Sequence, residues 1–311
     1  MMKLHLDKYA FDTIITNVSK RTKVRRDILE KDYYVTLVLK ELASRDNQGF
    51  AYFKGGTALY KGLKSIKRFS EDIDLTVNVC DCSNSQKKKR LIDSTRYNSL
   101  YFDKELNNKK GNIEVQYTYE SLYNVDLNDA LQRFGKLKIE STNFGISEPT
   151  SLVSIAPHLY ELATDDEKRV LEGQYDIHPF EIITLSFERI FMDKLFAAEH
   201  YYRTNKLFDL SKHLYDLSVL MNDERIINFI NSKTRINELL EIQLTEETSR
   251  FGGITDFKSF SDLSFINNLE NKDLEKSFNQ MQSIYIFNDT DKVLFKDVVT
   301  SICILFNKLT K

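Results

Sequence analysis

Gly55-Gly56-Thr57, followed by Asp72-Ile73-Asp74, constrains this chain more than any other stretch. The run Ala51-Tyr52-Phe53-Lys54 leads into the glycines, and Ala58-Leu59-Tyr60 continues from them with helical character. This pattern predicts a strand-to-helix turn, where backbone N–H groups approach a phosphate with no Cβ in the way and the helix N-terminus favours negative charge. Around the aspartates the sequence alternates. Ile73, Leu75 and Val77 fall on one face of a strand, with Asp72, Asp74 and Thr76 on the other. Two carboxylates at i and i+2 on one strand face suit a divalent metal, as two-metal phosphoryl or nucleotidyl transfer requires.

The bulk properties limit the alternatives. With 311 residues, 41% hydrophobic and 29% charged, the chain has room for two lobes of ordinary domain size. A net charge of −2 excludes a general nucleic-acid coat, so any RNA contact must come from a local basic patch. The cysteines, Cys80, Cys82 and Cys303, are odd in number and lack zinc spacing, which fits reduced thiols. No leader-like apolar segment opens the chain and no run of eighteen apolar residues occurs, so a cytoplasmic protein without a membrane span is expected.

Residues 8–45 read as helices with a broad apolar face. Strands are expected at 50–53, 73–79, 113–119 and 137–141, and a helix after the basic run Lys87-Lys88-Lys89-Arg90. Pro179 suits the first turn of a long helix through Ile182, Leu185, Ile190, Leu195 and Ala198. Helical patterns follow over 207–221 and 223–245, a break at Phe251-Gly252-Gly253, and a last helix over 292–309. The strand Leu137-Lys138-Ile139-Glu140 offers Glu140 as a third carboxylate, and Glu114 competes with it.

Lys54-Gly55-Gly56-Thr57-Ala58-Leu59 together with Arg68-Phe69-Ser70-Glu71-Asp72-Ile73-Asp74-Leu75 resembles the AbiEii/AbiGii toxin family of nucleotidyltransferase-like proteins in the polymerase-beta superfamily. Leu29 to Thr36, Phe187 to Ala197 and Ser211 to Leu217 resemble further family helices, so the resemblance runs from roughly residue 25 to 220. It implies an α+β fold: a polymerase-beta-like lobe with a small mixed sheet over 1–175, then a mainly helical lobe over 176–311. It also implies transfer of NMP from an NTP to an acceptor hydroxyl, with RNA, plausibly the tRNA 3′ end, as acceptor. The setting would be a toxin–antitoxin or phage-resistance pair, with an antitoxin as partner. On this reading Asp72, Asp74 and Glu140 hold two Mg²⁺ ions, and Gly55, Gly56 and Thr57 bind phosphates. Ser70 and Arg68 assist, Lys194 supplies charge to the triphosphate, and Asp216 orients Lys194 or a substrate group. Lys212-His213 stands where many members carry Arg-Asp. The alternatives are a nucleotide-binding regulator without turnover and an enzyme that modifies protein.

Overall fold

The computed structural model describes residues 2–80, 82–109, 111–123, 135–143, 145, 147–249 and 253–310. Of the expected break at 251–253, Phe251 and Gly252 lie outside the described residues. The chain packs as two compact units that interleave along the sequence. The first comprises Met1–Gly62, Glu71–Asn143 and Leu152–Thr184, and the second Leu63–Ser70, Phe144–Ser151 and Leu185–Lys311.

The first unit begins with α1 (Lys8–Thr22) and α2 (Arg26–Ala43). Asp7 caps α1 by accepting from the Ala10 N–H at 3.0 Å, satisfying one donor that the first turn leaves unpaired. There follow β1 (Ala51–Lys54), α3 (Gly55–Gly62), β2 (Ile73–Val77), α4 (Asn84–Asp93), β3 (Tyr101–Lys109), β4 (Asn112–Thr118), β5 (Lys136–Thr142) and β6 (Thr150–Ile155). Two helices, α5 (His158–Glu161) and α6 (Asp165–Tyr175), precede β7 (Phe180–Leu185). The sheet is mixed and seven-stranded, in the order β3-β4-β5-β2-β1-β7-β6. Its apolar face carries Phe53, Ile73, Leu75, Val115, Ile139 and Leu137, all buried.

An ion pair fastens the glycine turn to this scaffold. Lys61 of α3 donates to both carboxylate oxygens of Asp32 on α2, at 2.8 and 3.0 Å, and the pair is almost fully buried. The His158 N–H also donates to Asp32, at 2.6 Å, so the buried charges are paired and hydrogen-bonded.

Two differences from the sequence reading concern the sheet. It is larger than expected, because β3, β6 and β7 join the four strands that the pattern shows. Phe180–Leu185 is also strand and not the start of a helix. Thr184 pairs in parallel with Phe53, while the Gln48 side chain accepts from the Ile183 N–H at 2.6 Å and donates to its carbonyl at 2.9 Å. The helix begins at Phe187, where Ser186 accepts from the Arg189 N–H at 3.2 Å. Pairing with β1 thus overrides the helical periodicity that continues on either side of Leu185.

The second unit is built from α7 (Phe187–Arg203), α8 (Leu207–Leu220), α9 (Glu224–Ile230), α10 (Lys233–Ser249), α11 (Lys272–Tyr285) and α12 (Phe295–Leu309). Phe191, Phe196, Leu214, Phe229, Phe278, Met281 and Ile302 form its core. The segment before the aspartates belongs here. The Phe69 N–H donates to the Tyr285 carbonyl at 2.8 Å, and Lys67 N–H to the Tyr215 hydroxyl at 3.3 Å. No helix among the described residues is long and apolar enough to cross a membrane, and the three cysteines are free.

Candidate active site

In the first unit, strand register gathers the carboxylates. Lys54 on β1 lies opposite Asp74 on β2, Asp74 beside Glu140 on β5, and Glu140 opposite Glu114 on β4. In β4 and β5 apolar residues alternate with these polar ones, so the acids share the face away from the apolar core. Gly55 takes φ +79°, and a Cβ there would come within 2.1 Å of Oδ2 of Asp74. Only glycine therefore lets the turn close against this carboxylate. Thr57 is buried, and its hydroxyl donates to the main-chain carbonyl of Asp72, tying the turn to the strand of the dyad.

The charges on this face are unevenly compensated. Burial, then the negative charges of Glu140 and Asp72, push the Asp74 carboxyl up to about 6, against the opposing pull of Lys54 and Lys138. Lys138 sits 3.0 Å from Glu114 and 3.9 Å from Asp72. Burial alone would lower its ammonium, but Asp72 and Glu114 outweigh that and raise it above the ordinary lysine value. Asn112 donates to Oε1 of Glu140 at 2.7 Å, and Lys54 to the Thr142 hydroxyl at 3.2 Å. Strand alternation puts Lys138 on the face of Glu140, but sequence reasoning did not single out Asn112 or Lys54. Alternation in the strand around Glu114 is the signal that places Asn112 beside the acids.

Among the described residues no three Asp, Glu, His or Cys side chains already converge as a metal cage. The donor set nonetheless suits a hard divalent cation. Asp72, Asp74 and Glu140 supply only oxygen ligands, and the raised Asp74 carboxyl marks an excess of negative charge that a cation would relieve.

The second unit holds the other residues together around Asp216. Arg68 donates through Nε to Oδ1 at 3.0 Å and through Nη2 to Oδ2 at 2.8 Å, a two-point fork. Lys194 Nζ lies 2.9 Å from Oδ2 of the same carboxylate. Asp216 is fully buried. Burial would raise its carboxyl, but Arg68 and Lys194 hold it well below the usual carboxylate range. The Arg68 guanidinium is thus buried on Asp216. Ser70 is half-buried where this segment ends. His213 stacks on Tyr201, with ring centroids 5.2 Å apart, and its buried Nδ1 has no hydrogen-bond partner among the described residues. Burial, then the nearby Lys194, drives its imidazole well below the ordinary histidine value, so it is neutral.

A glycine turn pressed against in-register carboxylates on a mixed sheet is the equipment of a nucleotidyltransferase. Residues 38–299 match the family model described as nucleotidyl transferase AbiEii toxin, type IV toxin–antitoxin system, and the chain belongs to that family. It is therefore a nucleotidyltransferase of a type IV toxin–antitoxin system, with a nucleotide as substrate and an antitoxin as partner. The match begins after the Leu29 to Thr36 stretch and continues well past residue 220, beyond the extent that the sequence motifs suggested. Among solved structures, the chain is similar to MenT4, a nucleotidyltransferase toxin from Mycobacterium tuberculosis H37Rv, with 15% identity and a TM-score of 0.44 over 94% of this chain and 98% of that one. No curated protein matches the chain.

Proposed function

We propose that the chain transfers NMP from an NTP to a hydroxyl of RNA, with the tRNA 3′ end as the favoured acceptor, and that it does so with Mg²⁺. The observation that carries this reading is the in-register row Lys54, Asp74, Glu140 and Glu114 closed by the Gly55 turn. Asp72, Asp74 and Glu140 would hold the Mg²⁺, which neutralises triphosphate charge and makes the attacking hydroxyl more acidic. Glu140 is preferred to Glu114 because it is the immediate strand neighbour of Asp74, whereas Glu114 is paired with Lys138.

In the reaction the acceptor oxygen bonds to the α-phosphorus, the bond to the bridging oxygen breaks, and pyrophosphate leaves. Backbone N–H groups at Gly55, Gly56 and Thr57 receive phosphate oxygens; the Thr57 hydroxyl is engaged with Asp72. Lys194, oriented by Asp216, offsets negative charge in the transition state, and Arg68 holds Asp216 for that task. Ser70, two residues before Asp72 in the sequence, is proposed to assist the dyad. The protein works in the cytoplasm, where modification of RNA arrests growth, as a phage-resistance system requires.

Incubation with Mg²⁺, total RNA and each NTP labelled at the α-phosphate, beside γ-labelled controls, tests this reading. Label from the α-position alone is expected on small RNA. Label on protein would replace the acceptor, γ-label would make the enzyme a kinase, and no label with any nucleotide would leave a regulator without turnover.

A further inference from the structure

We propose that the outer part of the acidic sheet face, carried by β3, β4 and β5, is the surface along which single-stranded acceptor RNA lies. This proposal rests on the RNA-acceptor reading above and names the surface that would serve it. β3 is an edge strand, and all of its residues but Asn107 are exposed. Its pairing with β4 shifts register twice, between Phe102 and Lys104 and between Glu105 and Asn107. The extra residue at each bulge changes which side chains share a face. Tyr101 lies opposite Thr118, Lys104 opposite Gln116, Asn107 opposite Glu114 and Lys109 opposite Asn112. Simple alternation from Tyr101 would have put Asp103 opposite Gln116 and Glu105 opposite Glu114, the places that Lys104 and Asn107 take.

The rows continue inward without a break. Gln116 lies opposite Lys138, which reaches Asp72, and Thr118 lies opposite Lys136. One row therefore reads Lys104, Gln116, Lys138 and then Asp72, from the sheet edge to the dyad. At ordinary strand spacing it covers about 14 Å, the length of a few nucleotides. Lys104, Lys109 and Lys136 take no carboxylate partner among the described residues, which leaves them for phosphates. Asp103 is the acid nearest this row on β3, and it accepts from Gln116 at 2.5 Å. Tyr101, 77% exposed, offers a ring on which a base can stack.

With a net charge of −2, the protein needs such a local strip to hold a polyanion. The two bulges and the alternating charges of β3 also interrupt the edge as a template for another strand, which favours RNA over strand addition.

The test is anisotropy of the full-length protein with a fluorescein-labelled twelve-nucleotide single-stranded RNA, alongside a fluorescent NTP analogue. Lys104→Glu/Lys109→Glu should weaken RNA binding about tenfold or more, while NTP analogue affinity and melting temperature stay unchanged. Lys104→Ala/Lys109→Ala should flatten the slope of log Kd against log salt by about 1.4, from two lost phosphate contacts at about 0.7 each. Tyr101→Ala should weaken binding several-fold, and Lys104→Arg/Lys109→Arg should retain it. Wild-type RNA affinity and salt slope in the charge variants would overturn the surface while leaving the RNA reading in place. Failure of the wild type itself to bind RNA, with label transferred to protein, would remove the RNA reading and the surface with it. A changed sedimentation behaviour with RNA affinity retained would assign the edge to pairing between copies and also overturn the proposal.

Discussion

A Cβ on Gly55 would stand 2.1 Å from Oδ2 of Asp74, so the turn and the strand that carries Asp74 are fitted to each other atom against atom. Gly55→Ala must displace the carboxylate and also strain a left-handed residue, at a cost of about 1–2 kcal/mol for the backbone alone. Transfer of α-label should fall by about 100-fold or more, with only a modest drop in melting temperature. Activity near wild type would show that the position of Asp74 against the turn is not needed.

Asp74→Asn removes a negative charge flanked by those of Glu140 and Asp72. Without metal the variant should be at least as stable as the wild type, by up to about 1–2 kcal/mol, because like charges no longer repel. Transfer should be lost. Mg²⁺ should raise the wild-type melting temperature more than that of the variant, as calorimetry would show.

Arg68 and Asp216 should behave as one unit. Arg68→Ala leaves a buried carboxylate with Lys194 as its remaining cation, and Asp216→Ala leaves two buried cations; each is expected to destabilise by about 3–5 kcal/mol. The double variant should cost clearly less than the sum, a coupling measurable by denaturant unfolding. Additive losses would mean that the fork contributes little.

On the mechanism proposed above, Lys194→Ala should reduce kcat strongly with little change in the KM for NTP, because a charge that offsets developing negative charge acts most in the transition state. A rise in KM with kcat intact would make Lys194 a binding group only.

Acid should weaken the fold in two windows. The folded-state pKa of His213 lies well below 6.5, and that of His5 is lowered to about 4, both by burial. The unfolded chain therefore takes up these protons first, and stability falls as pH drops below about 6.5. Asp216, held below its ordinary value by Arg68 and Lys194, stabilises the fold above about pH 4, and that contribution is lost as pH falls further towards its folded pKa. His213→Gln should reduce the slope of unfolding free energy in the upper window, and Asp216→Asn the slope in the lower one. A pH profile unchanged in both variants would contradict these assignments.

The sequence by itself determined the glycine turn, the alternation that makes Ile73–Val77 a strand with Asp74 on its polar face, and the family. These are local matters, since backbone freedom at glycine and a two-residue period are legible within a few positions. It also showed the helices at either end, whose 3.6-residue period repeats over several turns. Tertiary structure decided the rest. Phe180–Leu185 is apolar enough for either helix or strand, and its neighbours β1 and β6, with Gln48 far back in the chain, select the strand. β3 has an undistinguished polar sequence, and its two bulges exist only as mismatches with β4. Arg68 stands four residues before the dyad in sequence, yet its guanidinium is committed to Asp216, 148 residues away. No local pattern encodes such a pairing, because its energy arises from removing both charges from water together, and that happens only when the chain has folded.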